Sequence, residues 1–240
     1  YPYQSYSDVN YGVMRGLVAL GLFQSQDEIN RSPKQTYGEV RPGDIRYKDV
    51  NADGKIDDDD VVPIAHSNVP QIQYGFALEY RYKRWTISAL FTGAAKVNFL
   101  YGGSGFYPFS GGEVGNILSI VNDPKNRWTP AWYSGDPSTE NPNARFPRLT
   151  YGENKNNNRA STFWLADGSY LRWKSLDISY RIGTNKALRT VGISDMNLQF
   201  VGQNLAVWDS VKLWDPGQAS KNGAVYPLQR TFSLQLTATF

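Results

Sequence analysis

The sequence predicts an all-β fold, namely a segment of an antiparallel transmembrane β-barrel with long extracellular loops. Long runs of residues alternate strictly between apolar and polar side chains, which is the period that a β-strand imposes. The connections between these runs alternate between short and long, as the two ends of an outer-membrane barrel do. Aromatic residues make up 14% of a chain that is only 40% hydrophobic, which favours strands with one apolar face over an apolar helical core.

The first two alternating runs predict a β-hairpin. The first run, residues 72–82, carries on its apolar face Ile72, Tyr74, Phe76, Leu78, Tyr80 and Tyr82. The second run covers residues 85–93 and begins at Trp85. A two-residue turn at positions 83–84 pairs Tyr82 with Trp85 and Phe76 with Phe91, so that every pair lies on the apolar face. Lys-Arg is not a favoured turn sequence, so the side-chain pattern alone defines this register.

Three later runs, at residues 176–181, 196–201 and 231–240, predict further strands with the same alternation. The connections at 83–84 and 182–194 are short, whereas those at 96–168 and 207–228 are long. The polar face of the strands would look into a wet interior, and its candidate interior residues are Glu79, Arg81, Asp177, Gln199, Gln203 and Gln235.

The chain divides at the first strand. Residues 1–71 are predicted to form an extracellular loop region with a short helix near 25–29, and residues 72–240 the barrel strands with their loops. The polar stretch 154–158 is predicted to be a mobile loop tip. Because the chain starts at Tyr1 without an initiator Met, we expect it to be a fragment of a longer protein.

A soluble sandwich also has one apolar and one polar face, so alternation alone leaves two folds open. Strands of about nine to twelve residues are long enough to cross a bilayer at a tilt. Aromatic residues near strand ends favour a membrane interface; they are Tyr80, Tyr82, Trp85, Tyr180 and Phe240. The alternative is a secreted calcium-binding β-sandwich that serves as an adhesion or carbohydrate-binding module.

Residues 49–60 have the spacing of an EF-hand-type calcium loop. The oxygen ligands predicted at its successive coordinating positions are Asp49, Asn51, Asp53, Lys55 (through its carbonyl), Asp57 and Asp60. Gly54 would form the sharp turn, and Asp60 is shorter than the usual glutamate. The role would be structural. The alternative is an Asp/Asn/Gly-rich turn that binds no metal.

Candidate residues for contact with a substrate are the loop aromatics Trp128, Trp132, Tyr133 and Trp164. Their alternative role is packing within the loops. His66 is the only histidine and there is no cysteine, so neither a hydrolase triad nor a cysteine metal site is predicted, and we expect no enzyme. The net charge of +3 gives no reason to expect a nucleic-acid partner.

Several short motifs resemble those of one family, in the family's order along the chain. They lie at residues 21–29 (GLFQSQDEI), 42–57 (PGDIRYKDVNADGKID), 126–129 (NRWT), 146–149 (FPRL), 161–165 (STFWL), 169–174 (SYLRWK), 202–205 (GQNL) and 227–232 (PLQRTF). Together they resemble the SusC/RagA family of TonB-dependent outer-membrane transporters, in its C-terminal barrel portion. Ala52 departs from the glycine usual there, and residues 213–216 match only loosely.

The resemblance implies a bacterial outer-membrane importer. Its barrel would have 22 strands, of which this chain supplies the C-terminal ones, and a plug domain inside. The implied partners are the remainder of the barrel, the plug, a SusD-like surface lipoprotein, the TonB complex and outer-membrane lipid. The implied function is TonB-dependent import of an oligomeric nutrient, either a glycan or a peptide.

Overall fold

A computed structural model describes residues 1–5, 12–110 and 116–240 of the chain. The chain divides into two compact units. The first unit comprises residues 1–69, 98–166 and 219–225. The second unit comprises residues 70–97, 167–218 and 226–240.

The described residues form thirteen strands and four short α-helices. The strands are β1 (Met14–Gly16), β2 (Ala19–Leu22), β3 (Lys34–Gln35), β4 (Ile45–Tyr47), β5 (Lys55–Ile56), β6 (Val62–Ala65), β7 (Ile72–Tyr82), β8 (Trp85–Ala95), β9 (Asn98–Leu100), β10 (Leu165–Asp167), β11 (Tyr170–Arg181), β12 (Asp195–Asp209) and β13 (Thr231–Thr239). The helices are α1 (Gln26–Arg31), α2 (Ser119–Asn122), α3 (Ala131–Ser134) and α4 (Lys186–Thr190). Among the described residues, no helix has the length and apolar character needed to cross a lipid bilayer.

The second unit is built on one antiparallel sheet with the strand order β13-β12-β11-β8-β7. Strand β7 has the bounds that the alternation predicts, and a two-residue turn leads directly into β8. Tyr82 lies opposite Trp85 and Phe76 opposite Phe91, so the predicted hairpin register is confirmed. Lys83 takes a positive φ of 53° in the turn, a conformation that the side-chain pairing of the flanking strands imposes on an unfavoured residue.

The alternation does not predict the β-bulge that interrupts β11. The pairing of β11 with β8 skips Lys174, and Phe91 lies opposite Trp173 while Leu90 lies opposite Ser175. The extra residue puts Trp173 and Leu176 on the same face although they are three positions apart. The period-two pattern breaks there, which is why alternation alone finds only the second half of this strand.

The first unit consists of small sheets joined by ordered loops. Its strands pair as β1 with β6, β2 with β4, β3 with β5 and β9 with β10. The predicted helix near residues 25–29 is confirmed as α1, and the Ser25 side chain accepts a hydrogen bond from the Glu28 amide at its start. The core is aromatic: Phe106 stacks on Tyr101 at 5.0 Å and meets Trp164 edge-on at 5.6 Å. The described residues of the long connection 96–168 are therefore largely packed structure.

Candidate functional site

One face of the five-stranded sheet is apolar from edge to edge. Side chains directly opposite one another in an antiparallel pair share a face. The register therefore aligns rows across all five strands, and one such row is Tyr80, Ile87, Ile178, Phe200 and Leu234. Aromatic contacts reinforce the face, with Phe76 stacked on Phe91 at 4.9 Å and Phe91 on Trp173 at 5.8 Å.

These apolar side chains are exposed or half-buried. Leu78 is 60% exposed and Leu234 is 72% exposed, and both project from long, regular strands. Exposed large side chains on the same face also include Ile72, Phe76, Tyr80, Trp85, Ile87, Phe232 and Leu236. A contiguous apolar face of this size marks a contact with a membrane or another protein. A sandwich would bury it under a second sheet.

An aromatic row crosses the sheet beside the β7–β8 turn. Tyr82 lies opposite Trp85, and Trp85 lies opposite Tyr180. The Trp85 and Tyr180 rings are 4.6 Å apart. Amphipathic rings gathered at one end of tilted strands are the arrangement of the aromatic girdle at a membrane–water interface.

The opposite face of the sheet is polar, and the six predicted interior residues all lie on it. Glu79 pairs with Arg81 at 2.6 Å, and Gln199 donates a hydrogen bond to Asp177. Arg172 forms an almost buried ion pair with Asp215 at 2.6 Å, which holds the loop after β12 against β11.

In the first unit, buried Asp44 joins two loops that are more than one hundred residues apart in sequence. Its carboxylate accepts hydrogen bonds from the Arg41 amide, Arg148 Nη2, Asn154 Nδ2 and Asn157 Nδ2 at 2.8 to 3.0 Å. Arg148 Nε also lies 2.9 Å away, although it is not aligned for a hydrogen bond. A buried carboxylate with this many donors has its hydrogen-bonding capacity satisfied and fixes both loops.

Gly43 is required beside Asp44 for two reasons. Its φ is +89°, and a Cβ there would lie 2.2 Å from the Trp128 ring. A side chain at this position would therefore be strained and would displace Trp128. The backbone is further held by the Arg148 amide, which donates to the Gly43 carbonyl at 2.9 Å.

The stretch 154–158 is not an exposed loop tip, and that prediction is wrong. Asn156 and Asn157 are 1% and 2% exposed. Asn157 Oδ1 accepts from the Ile45 amide, and Asn156 Nδ2 donates to the Ile45 carbonyl. The polar composition of this stretch predicts exposure to solvent. Instead, the two side-chain amides form hydrogen bonds with the backbone of β4 that a neighbouring strand does not provide.

Two adjoining pockets form a groove on the first unit. The larger pocket, about 580 Å³, is lined by residues 127–130 and 132–133 together with Gln24, Arg41, Pro42, Glu140, Arg148 and Leu149. The second, about 500 Å³, shares Arg41, Arg148 and Leu149 with it. The groove has the volume of a site for several residues of an oligomer.

The structure brings three of the four predicted substrate-contact residues together at this groove. Trp132 is 85% exposed and Tyr133 is 67% exposed, both on α3, whereas Trp128 is buried with only an edge on the pocket. Trp164 does not line the groove. It is 2% exposed, and its Nε1 donates to the Asn157 carbonyl at 2.7 Å, so packing within the loops is its observed role.

The predicted calcium loop folds as a compact turn whose oxygens bind its own backbone. Asp49 accepts from the Ala52 and Gly54 amides, and buried Asp60 accepts from the Val50 and Asp57 amides. Lys55 pairs with Asp57 at 2.5 Å and holds the pKa of that carboxyl below its usual value. Within the described ranges, no group of three or more His, Cys, Asp or Glu residues is arranged to hold a metal ion. Calcium binding stays a prediction without support from this geometry.

Comparison with known proteins identifies the fold. The chain is 28% identical over 240 residues to TonB-dependent receptor P26 of Formosa agariphila, a match that covers 95% of this chain and 22% of that protein. The chain is similar to part of a TonB-dependent receptor. A second such receptor, P3 of the same organism, is 24% identical over 217 residues, covering 85% of this chain and 20% of that protein. No family model matches the chain.

Solved structures agree with this similarity. The RagAB peptide importer in its 'open-open' state matches with a TM-score of 0.63 at 18% identity, over 98% of this chain and 24% of the matched one. The RagAB peptide transporter matches with a TM-score of 0.64 at 19% identity, over 95% and 23% of the two chains. The predicted resemblance to SusC/RagA proteins is thus confirmed. This chain spans about a fifth of the length of the TonB-dependent receptors it matches.

Proposed function

We propose that this chain is the C-terminal part of an outer-membrane β-barrel that imports an oligomeric nutrient by a TonB-dependent mechanism. The observation that carries the proposal is the apolar face that runs across five antiparallel strands, with side chains that are exposed or half-buried. Hydrocarbon would cover this face, and the polar face would line the barrel interior. The fold similarity to RagAB chains and the names of the curated relatives support the same assignment.

The unpaired edges of the sheet support a larger barrel. Strands β7 and β13 each pair on one side only among the described strands. Open edges with regular strands need partners, because their amide and carbonyl groups remain unsatisfied in lipid. We therefore propose that both edges pair with strands of a 22-stranded barrel that encloses a plug domain.

The substrate is proposed to be a peptide or a glycan that contacts the extracellular loops of the first unit. The similar solved structures are a peptide importer, which favours a peptide. A SusD-like lipoprotein above these loops and the TonB complex are the proposed partners. We propose that the exposed rings of Trp132 and Tyr133, which line the groove, contact the substrate.

Deletion of the complete receptor from its source bacterium tests the proposal. We expect loss of growth on one class of oligomer, peptide or glycan, with normal growth on its monomers, and recovery on re-expression. The receptor should fractionate with the outer membrane and require detergent for extraction. A receptor found in the soluble fraction, with unchanged uptake of every oligomer, would contradict the proposal.

The alternative, a secreted β-sandwich module, needs the apolar face to be buried, and the exposure of Phe76 and Leu234 argues against it. The calcium loop stays as a separate proposal of structural metal binding. In that proposal, Asp53→Ala and a chelator would each lower the order of residues 49–60, measured by protease sensitivity. If neither has an effect, the loop binds no calcium.

A further inference from the structure

One arginine of the larger pocket forms no ion pair with a described carboxylate, although Asp123 attracts it from a greater distance. Three arginines line the pocket together with Glu140. Arg41 is paired with Glu39 and Arg148 with Asp44. In the described part of the chain, Arg127 makes no ion pair, and its hydrogen bonds run from Nη1 to the carbonyls of Val121 and Asn122, both at 2.6 Å. Arg127 is only 7% exposed.

No ion pair with a described residue balances the positive charge of this guanidinium. Arginine stays protonated in proteins and offers five N–H groups in a planar fork. Here Nη1 is anchored on two backbone carbonyls, which fixes the plane, while Nε and Nη2 have no partner among the described residues. These N–H groups are accessible and available to a ligand, and a carboxylate matches the geometry of the fork.

The aromatic wall of the pocket argues for a peptide over a sugar chain. The Trp132 and Tyr133 rings are 6.0 Å apart and almost perpendicular, at 83°. Together they form a corner for an apolar side chain and not one flat platform for successive sugar rings. The lining also contains one carboxylate, Glu140, whose Oε1 accepts a hydrogen bond from the Ala131 amide at 2.7 Å; the three arginines outnumber it.

We propose that this pocket binds an acidic segment of a peptide, with Arg127 contacting a side-chain carboxylate and the Trp132–Tyr133 corner holding a neighbouring apolar side chain. The proposal rests on the proposed import function and adds to it a preference for acidic peptides. Arg127 is then a specificity residue of the transporter.

Binding to the complete receptor in detergent tests the proposal. The probes are a blocked hexapeptide of alternating Glu and Leu, the same peptide with Gln in place of Glu, and an oligogalacturonate. We expect the Glu peptide to bind more tightly than the Gln peptide by calorimetry. Arg127→Gln should weaken the Glu peptide about tenfold or more, as expected for a lost hydrogen bond between charged groups, and leave the Gln peptide unchanged.

Two further variants separate recognition from folding. Arg127→Lys keeps the charge and should retain part of the preference. Arg145→Gln is the matched control, because Arg145 is an exposed arginine of the same unit outside the pocket. Equal binding of the Glu peptide by wild type and Arg127→Gln would overturn the proposal. Binding of oligogalacturonate that depends on Arg127, without any binding of the Glu peptide, would also overturn it. Either result leaves the import function standing if deletion of the receptor still abolishes oligomer uptake.

Discussion

Asp44 shows how a single residue organises the loops of the first unit. It is fully buried, and it connects the segment around Gly43 to Arg148, to half-buried Asn154 and to buried Asn157. Arg148 also lines both pockets of the groove. Asp44 is therefore a positioning residue, because its carboxylate holds the side chain of Arg148, which lines the groove.

Asp44→Ala is predicted to destabilise the first unit by about 3–5 kcal/mol, the usual loss when one partner of a buried ion pair is removed. The measurement is thermal unfolding and limited proteolysis of the detergent-solubilised receptor. The matched control is Glu39→Ala, whose ion pair with Arg41 is exposed and should contribute little. Equal stability of the two variants would show that Asp44 does not hold the loops.

The folding stability of the first unit is predicted to decrease at alkaline pH because of its buried tyrosines. Burial raises the pKa of Tyr107 from 10.0 to about 12, and burial also raises the pKa of Tyr47. In this range the unfolded chain has lost protons that the folded chain keeps. The contribution of these buried tyrosines to folding stability is therefore fully present below pH 10, and it decreases as the pH rises towards 12.

Tyr107→Phe is predicted to reduce the loss of unfolding free energy between pH 10 and 12 by about 2 kcal/mol or less. The measurement is the unfolding temperature at each pH, and wild type and variant are first compared at pH 8 to account for the lost contact with the Tyr101 carbonyl. An unchanged slope above pH 10 would show that Tyr107 does not contribute.

At the scale of the element, the β7–β8 hairpin separates the two environments of the sheet. Neighbouring residues Leu78 and Ala77 have the same backbone geometry and point to opposite faces, with Leu78 opposite Ala89 and Ala77 opposite Leu90. One is predicted to face hydrocarbon and the other the barrel interior.

Leu78→Arg is therefore predicted to destabilise the inserted barrel by about 2–4 kcal/mol, the range measured for arginine near the middle of a bilayer. Ala77→Arg, its matched control, should be tolerated and should alter transport more than stability. The test is the heat-modifiable mobility of the receptor in outer-membrane fractions together with urea unfolding in vesicles. Similar losses for both variants would mean that neither face contacts lipid.

At the scale of the whole molecule, the five-stranded sheet has two edges that no described strand pairs with, and many side chains on its apolar face are exposed. Exposed edges and a large apolar face drive association of chains in water. The chain thus depends on surroundings that it does not itself contain, which is expected of a piece that spans about a fifth of its relatives.

The 240-residue chain on its own is predicted to aggregate in plain buffer and to stay dispersed only in detergent. Sedimentation velocity with and without detergent measures this, and circular dichroism follows the β-content. A stable monomer in buffer, with a cooperative unfolding transition, would contradict the membrane assignment and favour the secreted module.

The sequence by itself identified the five strands of the large sheet, in whole or in part, and the faces of these strands. Alternation gave the bounds of β7, and the pairing of apolar residues gave the β7–β8 register, because a shift of one residue would turn every side chain to the wrong face. The motifs in family order gave the resemblance to SusC/RagA proteins, which the relatives confirm. These features depend on local periodicity and short motifs, so no tertiary contact was needed to find them.

Only the tertiary structure decided the roles of the loop residues. Asn156 and Asn157 are polar yet buried, and Trp164 and Trp132 are the same residue type with opposite exposure. The bulge that skips Lys174, and the lack of an ion pair between Arg127 and any described residue, likewise have no local signal. Each depends on contacts with segments distant in sequence, such as the 113-residue separation between Asp44 and Asn157. Composition and spacing carry no information about such contacts.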